Sequence, residues 1–131
     1  MLSPDSFVGT QKEALVECRR LHGNDHPKVA ELLSVLGLFY HHVVHDFESA
    51  LVHHEEALVV LRSQPGDSHK VEVAVTLTDI GNVYRSMGDH PRALSSYEEA
   101  IAAFTATSTN ENHPSLQAAN RGISMLTRKL G

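Results

Sequence analysis

The stretch LTDIGNVYRSMGDHPRALSSYEEAIAAF, residues 77–104, predicts two amphipathic helices joined by a tight turn. Leu77, Ile80, Gly81 and Tyr84 recur at i, i+3, i+4 and i+7, the period of one helix face. Gly88-Asp89 breaks that helix, and Pro91 suits the first turn of the next. Ala93, Leu94, Tyr97, Ala100, Ile101 and Phe104 then resume the same period. Small residues at Gly81, Ala93 and Ala100 suit positions where two helix backbones approach closely, with the large side chains filling the space between.

Working outward, the same pattern recurs. Leu33, Leu36-Gly37 and Tyr40 precede Leu77, Ile80-Gly81 and Tyr84 by 44 residues. Ala50, Leu51, Ala57, Leu58 and Leu61 precede Ala93, Leu94, Ala100, Ile101 and Phe104 by 43. The earlier hairpin therefore holds one extra residue between His41 and Phe47, in a turn that lacks a glycine. In that register His54 stands where Tyr97 packs. Helix 28–44 is apolar on more than one face, through Leu32, Val35, Leu38 and Phe39, as expected of a helix flanked on several sides.

A helix is also predicted from Ser3 to Leu21, with Ser3 as cap, Pro4 in the first turn and Phe7, Ala14, Leu15, Cys18 and Leu21 as its stripe. Its core Lys12-Glu13-Ala14-Leu15 lies 43 residues before Glu55-Glu56-Ala57-Leu58, which lies 43 before Glu98-Glu99-Ala100-Ile101. The connectors are Gly23–Pro27, Ser63–Ser68 and Thr105–Asn112, and two of them lead into His-Pro, at His26-Pro27 and His113-Pro114. The last helix carries Leu116, Ala119, Ile123, Leu126 and Leu130, and lacks the Leu-Gly-x-x-Tyr signature. It is read as a cap over the final core face.

These residues resemble the tetratricopeptide repeat (TPR) pattern, with Leu77 in place of the family tryptophan, then Ile80-Gly81, Tyr84, Ala93, Tyr97 and Ala100. The usual repeat is about 34 residues. A period near 43, with Gly23-x-Asp25-His26-Pro27 before a first helix, is similar to the longer repeats of the kinesin light chain and related adaptors. The resemblance implies an all-α, right-handed α-solenoid of antiparallel helical hairpins with about six helices. It divides one domain into a half repeat 3–22, repeats 26–64 and 69–106, and a capping helix 114–130.

The resemblance also implies a function. Such solenoids bind a peptide or partner helix along a concave face made by the first helix of each repeat. Carried over by position, that face comprises Glu31, Ser34, Leu38 and His41 in the first repeat, and Val75, Thr78, Asn82 and Arg85 in the second. Asn82 falls where related domains hydrogen-bond a ligand backbone, and Arg85 suits an acidic side chain. The expectation is a non-enzymatic scaffold or adaptor module in the cytoplasm, with association to the cytoskeleton or cilium implied by the resemblance alone. Carboxylate-clamp recognition needs several cations on this face, and only Arg85 is clearly placed there.

Composition narrows the classes. The 131 residues suffice for one core. A net charge of −5 argues against nucleic-acid or anionic-membrane binding, which use clustered basic faces. No apolar run approaches the roughly 20 residues needed to span a bilayer. The opening MLSPDSFVGTQ lacks the basic and apolar regions of a signal peptide. Cys18 is the single cysteine, which excludes an internal disulfide and fits a reducing compartment.

Chemistry is sparse. No phosphate loop, nucleophile elbow, His-Glu-x-x-His or dinucleotide fingerprint is present, and no cofactor is expected. Ten histidines are many for this length. His41 and His45, four apart, form a weak metal candidate beside a pH-sensitive turn involving His42, His53 and His54. The pairs Glu55-Glu56 and Glu98-Glu99 point about 100° apart on a helix and read as solvated faces. Leu38 and Phe39 offer a second reading, an apolar patch for homodimerisation.

Overall fold

The computed structural model describes residues 3–107 and 113–130, the side chains of residues 129 and 130 excepted. Residues 108–112 of the expected Thr105–Asn112 connector, and the Leu130 side chain of the expected stripe, lie outside these. Among the described residues there are six α-helices and no strand: α1 (Pro4–His22), α2 (Pro27–Phe39), α3 (Phe47–Arg62), α4 (Lys70–Met87), α5 (His90–Thr105) and α6 (Pro114–Leu130). A π-helical turn, Tyr40–Val44, prolongs α2. The chain divides into two compact units, Met1–Gln64 and Pro65–Gly131, and the division falls inside the Ser63–Ser68 loop.

Helix starts follow from capping. Ser3 accepts a hydrogen bond from the Ser6 N–H ahead of Pro4. Asp46 and Asp89 do the same for α3 and α5, accepting from the N–H of Ser49 and Arg92. The His-Pro pairs now have a physical reason. His26 Nδ1 accepts the Lys28 N–H at 3.1 Å, and His113 Nδ1 accepts the Ser115 N–H at 3.1 Å. Each imidazole thus satisfies an otherwise unpaired N–H of the first turn, and each proline sits where no N–H is needed.

In the first unit, α2 packs on α3 and α1 packs on α2. Val29, Ala30, Leu33 and Leu36 are buried on α2, and Ala50, Ala57, Leu58 and Leu61 on α3. Phe7 of α1 stacks on Phe39, with ring centroids 4.4 Å apart. Phe39 is therefore a packing residue rather than half of an exposed patch. Leu38 stays partly exposed.

The extra residue of the first hairpin is not in a loop. It is absorbed in the last turn of the helix, which widens to the π form at Tyr40–Val44. In the second unit the Asp89 N–H reaches back to the Tyr84 carbonyl at 2.9 Å. In the first, the Asp46 N–H reaches the equivalent Tyr40 carbonyl at 2.9 Å, across one more residue. The left-handed position that Gly88 fills with φ +81° is filled by His45 with φ +61°.

In the second unit, α4 packs on α5 and α6 packs on both. Tyr97 is fully buried. A Cβ added at Gly81 would lie 2.7 Å from its ring, and one at Gly122 would lie 2.5 Å from it. Tyr97 is therefore held between two helix backbones, one toward each side edge of the ring. His54 repeats half of this arrangement in the first unit, since a Cβ at Gly37 would lie 2.6 Å from its ring.

Candidate functional site

Helix α4 carries the polar residues expected to meet a ligand. Asn82 is half-buried, and its Oδ1 accepts a hydrogen bond from the Tyr97 hydroxyl at 2.5 Å. The bond fixes the side-chain amide and leaves its two N–H donors without a partner among the described residues. One turn along, Arg85 Nη1 lies 3.9 Å from Met125 Sδ of α6. Burial pushes the Tyr97 hydroxyl above the usual tyrosine range, with the positive charge of Arg85 opposing that shift. Tyr97 thus remains a proton donor to Asn82 at neutral pH.

The other expected positions divide. Val75 is half-buried. Thr78 is only 2% exposed and returns its hydroxyl to the Ala74 carbonyl within its own helix, so it does not present a group to a ligand. In the first unit Glu31 is exposed, Ser34 half-buried and Leu38 38% exposed. His41 is buried inside the π turn, with its ring stacked on His42 and edge-on to Phe47, and likewise offers no free face.

Among the described residues no group of three or more His, Cys, Asp or Glu is arranged to hold an ion. The i, i+4 argument fails for His41 and His45 because the helix widens and His45 leaves it in a left-handed conformation. Both rings pack around Phe47 instead. Tyr40 stacks on His53 at 5.1 Å.

Two titratable groups, one buried and one half-buried, lie beyond what periodicity indicates. His54 is fully buried, and neither ring nitrogen has a hydrogen-bond partner. Burial first, then the neighbouring His41, His53 and His42, lower its pKa to about 4. Asp79 on α4 is raised by burial to about 7. A half-buried carboxyl there leaves no mark on the apolar pattern. The support Tyr97 gives Asn82 was also hidden, since the two are 15 residues apart and read separately as a core and a surface position.

Helix pairs with a small residue under a large ring, repeated at 43 to 44 residues, define a protein built of helical-hairpin repeats. The chain belongs to the tetratricopeptide repeat family, whose model matches residues 36–106, more than half of its length. Among solved structures it is similar to BtubC (BKLC) from P. vanneervenii, a kinesin light chain-like TPR protein, at 27% identity and a TM-score of 0.72 over 85% of this chain. The chain spans 44% of that structure's chain. No curated protein matches it. The fold is thus the all-α TPR solenoid type, with the longer repeat of the kinesin light chain-like members. Repeats of this family generally mediate protein–protein interaction. Among the described residues no helix is long and apolar enough to cross a membrane.

Proposed function

We propose that this chain is a non-enzymatic docking module of a scaffold or adaptor, taking a linear peptide or partner helix on the first helices of its repeats. The observation that carries the reading is the Tyr97–Asn82 hydrogen bond. It uses a buried core residue to orient an amide whose donors stay available, the arrangement a backbone-reading contact needs. Arg85 beside it supplies a cation for an acidic side chain. In the first unit, Glu31, Ser34 and Leu38 offer an anion, a hydroxyl and an apolar contact. Thr78 and His41, being buried, take no part.

The test is affinity capture from a cell extract with quantitative mass spectrometry, comparing the wild type with Asn82→Asp/Arg85→Glu. Aspartate keeps an acceptor for Tyr97 while removing the donors, so the hairpin stays intact, which circular dichroism verifies. Partners lost in the variant place binding on α4. An unchanged partner list sinks the reading.

A further inference from the structure

We propose that Asp79 is the anionic anchor of the α4 site, so that the partner segment docking there sets a lysine or arginine on it, beside the main-chain group that Asn82 reads. The inference rests on the docking role given to α4 above and names the chemistry of its ligand. Glu72, Val75, Asp79, Asn82 and Ser86 recur at i, i+3, i+7, i+10 and i+14, which makes one stripe of α4. The stripe lies opposite Leu77, Ile80 and Gly81, which are buried. Glu72 and Ser86 at its ends are exposed, and Val75, Asp79 and Asn82 between them are half-buried. Asp79, not the buried Thr78, therefore continues the line from Val75 to Asn82.

Among the described residues the Asp79 carboxyl has no hydrogen bond and no ion pair. Burial alone raises its pKa, to about 7, with no neighbouring cation opposing the shift. The cations of α4 and α5 are engaged elsewhere. Lys70 pairs with Asp67 at 3.0 Å, Arg92 pairs with Asp89 at 3.6 Å and lies over the Tyr84 ring, and Arg85 lies against Met125. A partly desolvated carboxylate without a counter-charge is costly, and a cation brought to it from outside turns that cost into binding. Residues 1–2, 108–112 and 131, outside the described ones, contain no lysine or arginine, so these segments do not supply the cation. It belongs to a partner protein.

The charges also have an order. Asp79 and Arg85 stand three residues to either side of Asn82, about 4.5 Å each along the helix axis. They thus offer opposite charges about 9 Å apart, a span that an extended segment covers in about three residues. The ligand is a mixed-charge segment, with its basic residue on Asp79 and its acidic residue on Arg85. That polarity fixes the direction in which it lies.

The probe is a phage-displayed library of random dodecapeptides, selected on the intact chain and read by sequencing. The strongest binder is then made with a fluorophore, and so is a version in which glutamine replaces its basic residue. Anisotropy measures both against the wild type and Asp79→Asn. Asparagine keeps the shape of aspartate without its charge, and circular dichroism verifies the fold. The expected binders carry a lysine or arginine about three residues from an aspartate or glutamate. Asp79→Asn should weaken the parent peptide about tenfold or more and leave the glutamine version unchanged, so that the two changes do not add. Binders without that basic residue, or additive losses, overturn the inference. If such binders are still lost in Asn82→Asp/Arg85→Glu, the docking role of α4 stands without Asp79. A wild type that selects no binder overturns both. A dimer in light scattering that Asp79→Asn converts to monomer also overturns the inference, because the cation then comes from a second copy.

Discussion

Acidification is expected to weaken the fold through His54. The ring is fully buried against Gly37, and neither nitrogen has a partner to share a positive charge. Its pKa is about 4 in the folded chain, against about 6.5 when unfolded. Because the folded value is the lower one, the neutral ring is favoured on folding. This contribution is intact above about pH 6.5 and is lost as the pH falls toward about 4. Each unit of difference is worth about 1.4 kcal/mol, so the loss by about pH 5 comes to about 2 kcal/mol. Urea unfolding followed by circular dichroism, repeated from about pH 8 to pH 5, measures it. The chain carries nine other histidines, so the informative quantity is the difference between wild type and His54→Leu. Leucine fills a similar volume and cannot ionise. The wild type should lose about 2 kcal/mol more than the variant across that range, and at about pH 8 the variant should be at least as stable, having no unpartnered nitrogens. Parallel profiles for the two proteins would refute the reasoning.

Other expectations concern the same packing. Gly81→Ala places a methyl 2.7 Å from a ring that Gly122 prevents from retreating, so it should destabilise by about 1–3 kcal/mol in the same urea assay. His45→Gly removes a side chain from a left-handed backbone and should stabilise by about 0.5–1 kcal/mol, glycine's greater unfolded freedom offsetting part of the relief. Asp79→Asn should act oppositely to His54. The raised pKa means the ionised Asp79 opposes folding, increasingly as pH rises from about 4 to about 7. The amide variant should therefore gain most in midpoint urea concentration above about pH 7, and a gain only at acid pH contradicts the assignment.

The hairpins were legible because close helix approach leaves a record in residue type. Gly37 and Gly81 cannot carry a Cβ where they lie, and the ring each faces, His54 or Tyr97, falls at a fixed spacing. The length of the first connection was legible too, but not its form. One inserted residue fits a loop or a widened helical turn equally well on paper. The choice depends on the Asp46 N–H closing onto the Tyr40 carbonyl, a main-chain bond that residue type does not specify. The candidate site was read in part for the same reason. Position along α4 identifies Asn82 and Arg85, but only packing reveals that Tyr97 holds Asn82. Only packing reveals that Thr78 and His41 are buried.

The π turn at Tyr40–Val44 also bears on how the helices find their partners. A chain of near-identical hairpins risks mispairing during folding, with one repeat's first helix docking on another's second. Here the two hairpins carry different connection lengths and different keys, an imidazole under Gly37 and a phenol under Gly81. The phenol needs an asparagine that only α4 brings, since α2 carries Leu38 at that position. Were α2 to pair with α5, the Tyr97 hydroxyl would be stranded. The Tyr97–Asn82 pair thus disfavours one mispairing, that of α2 with α5.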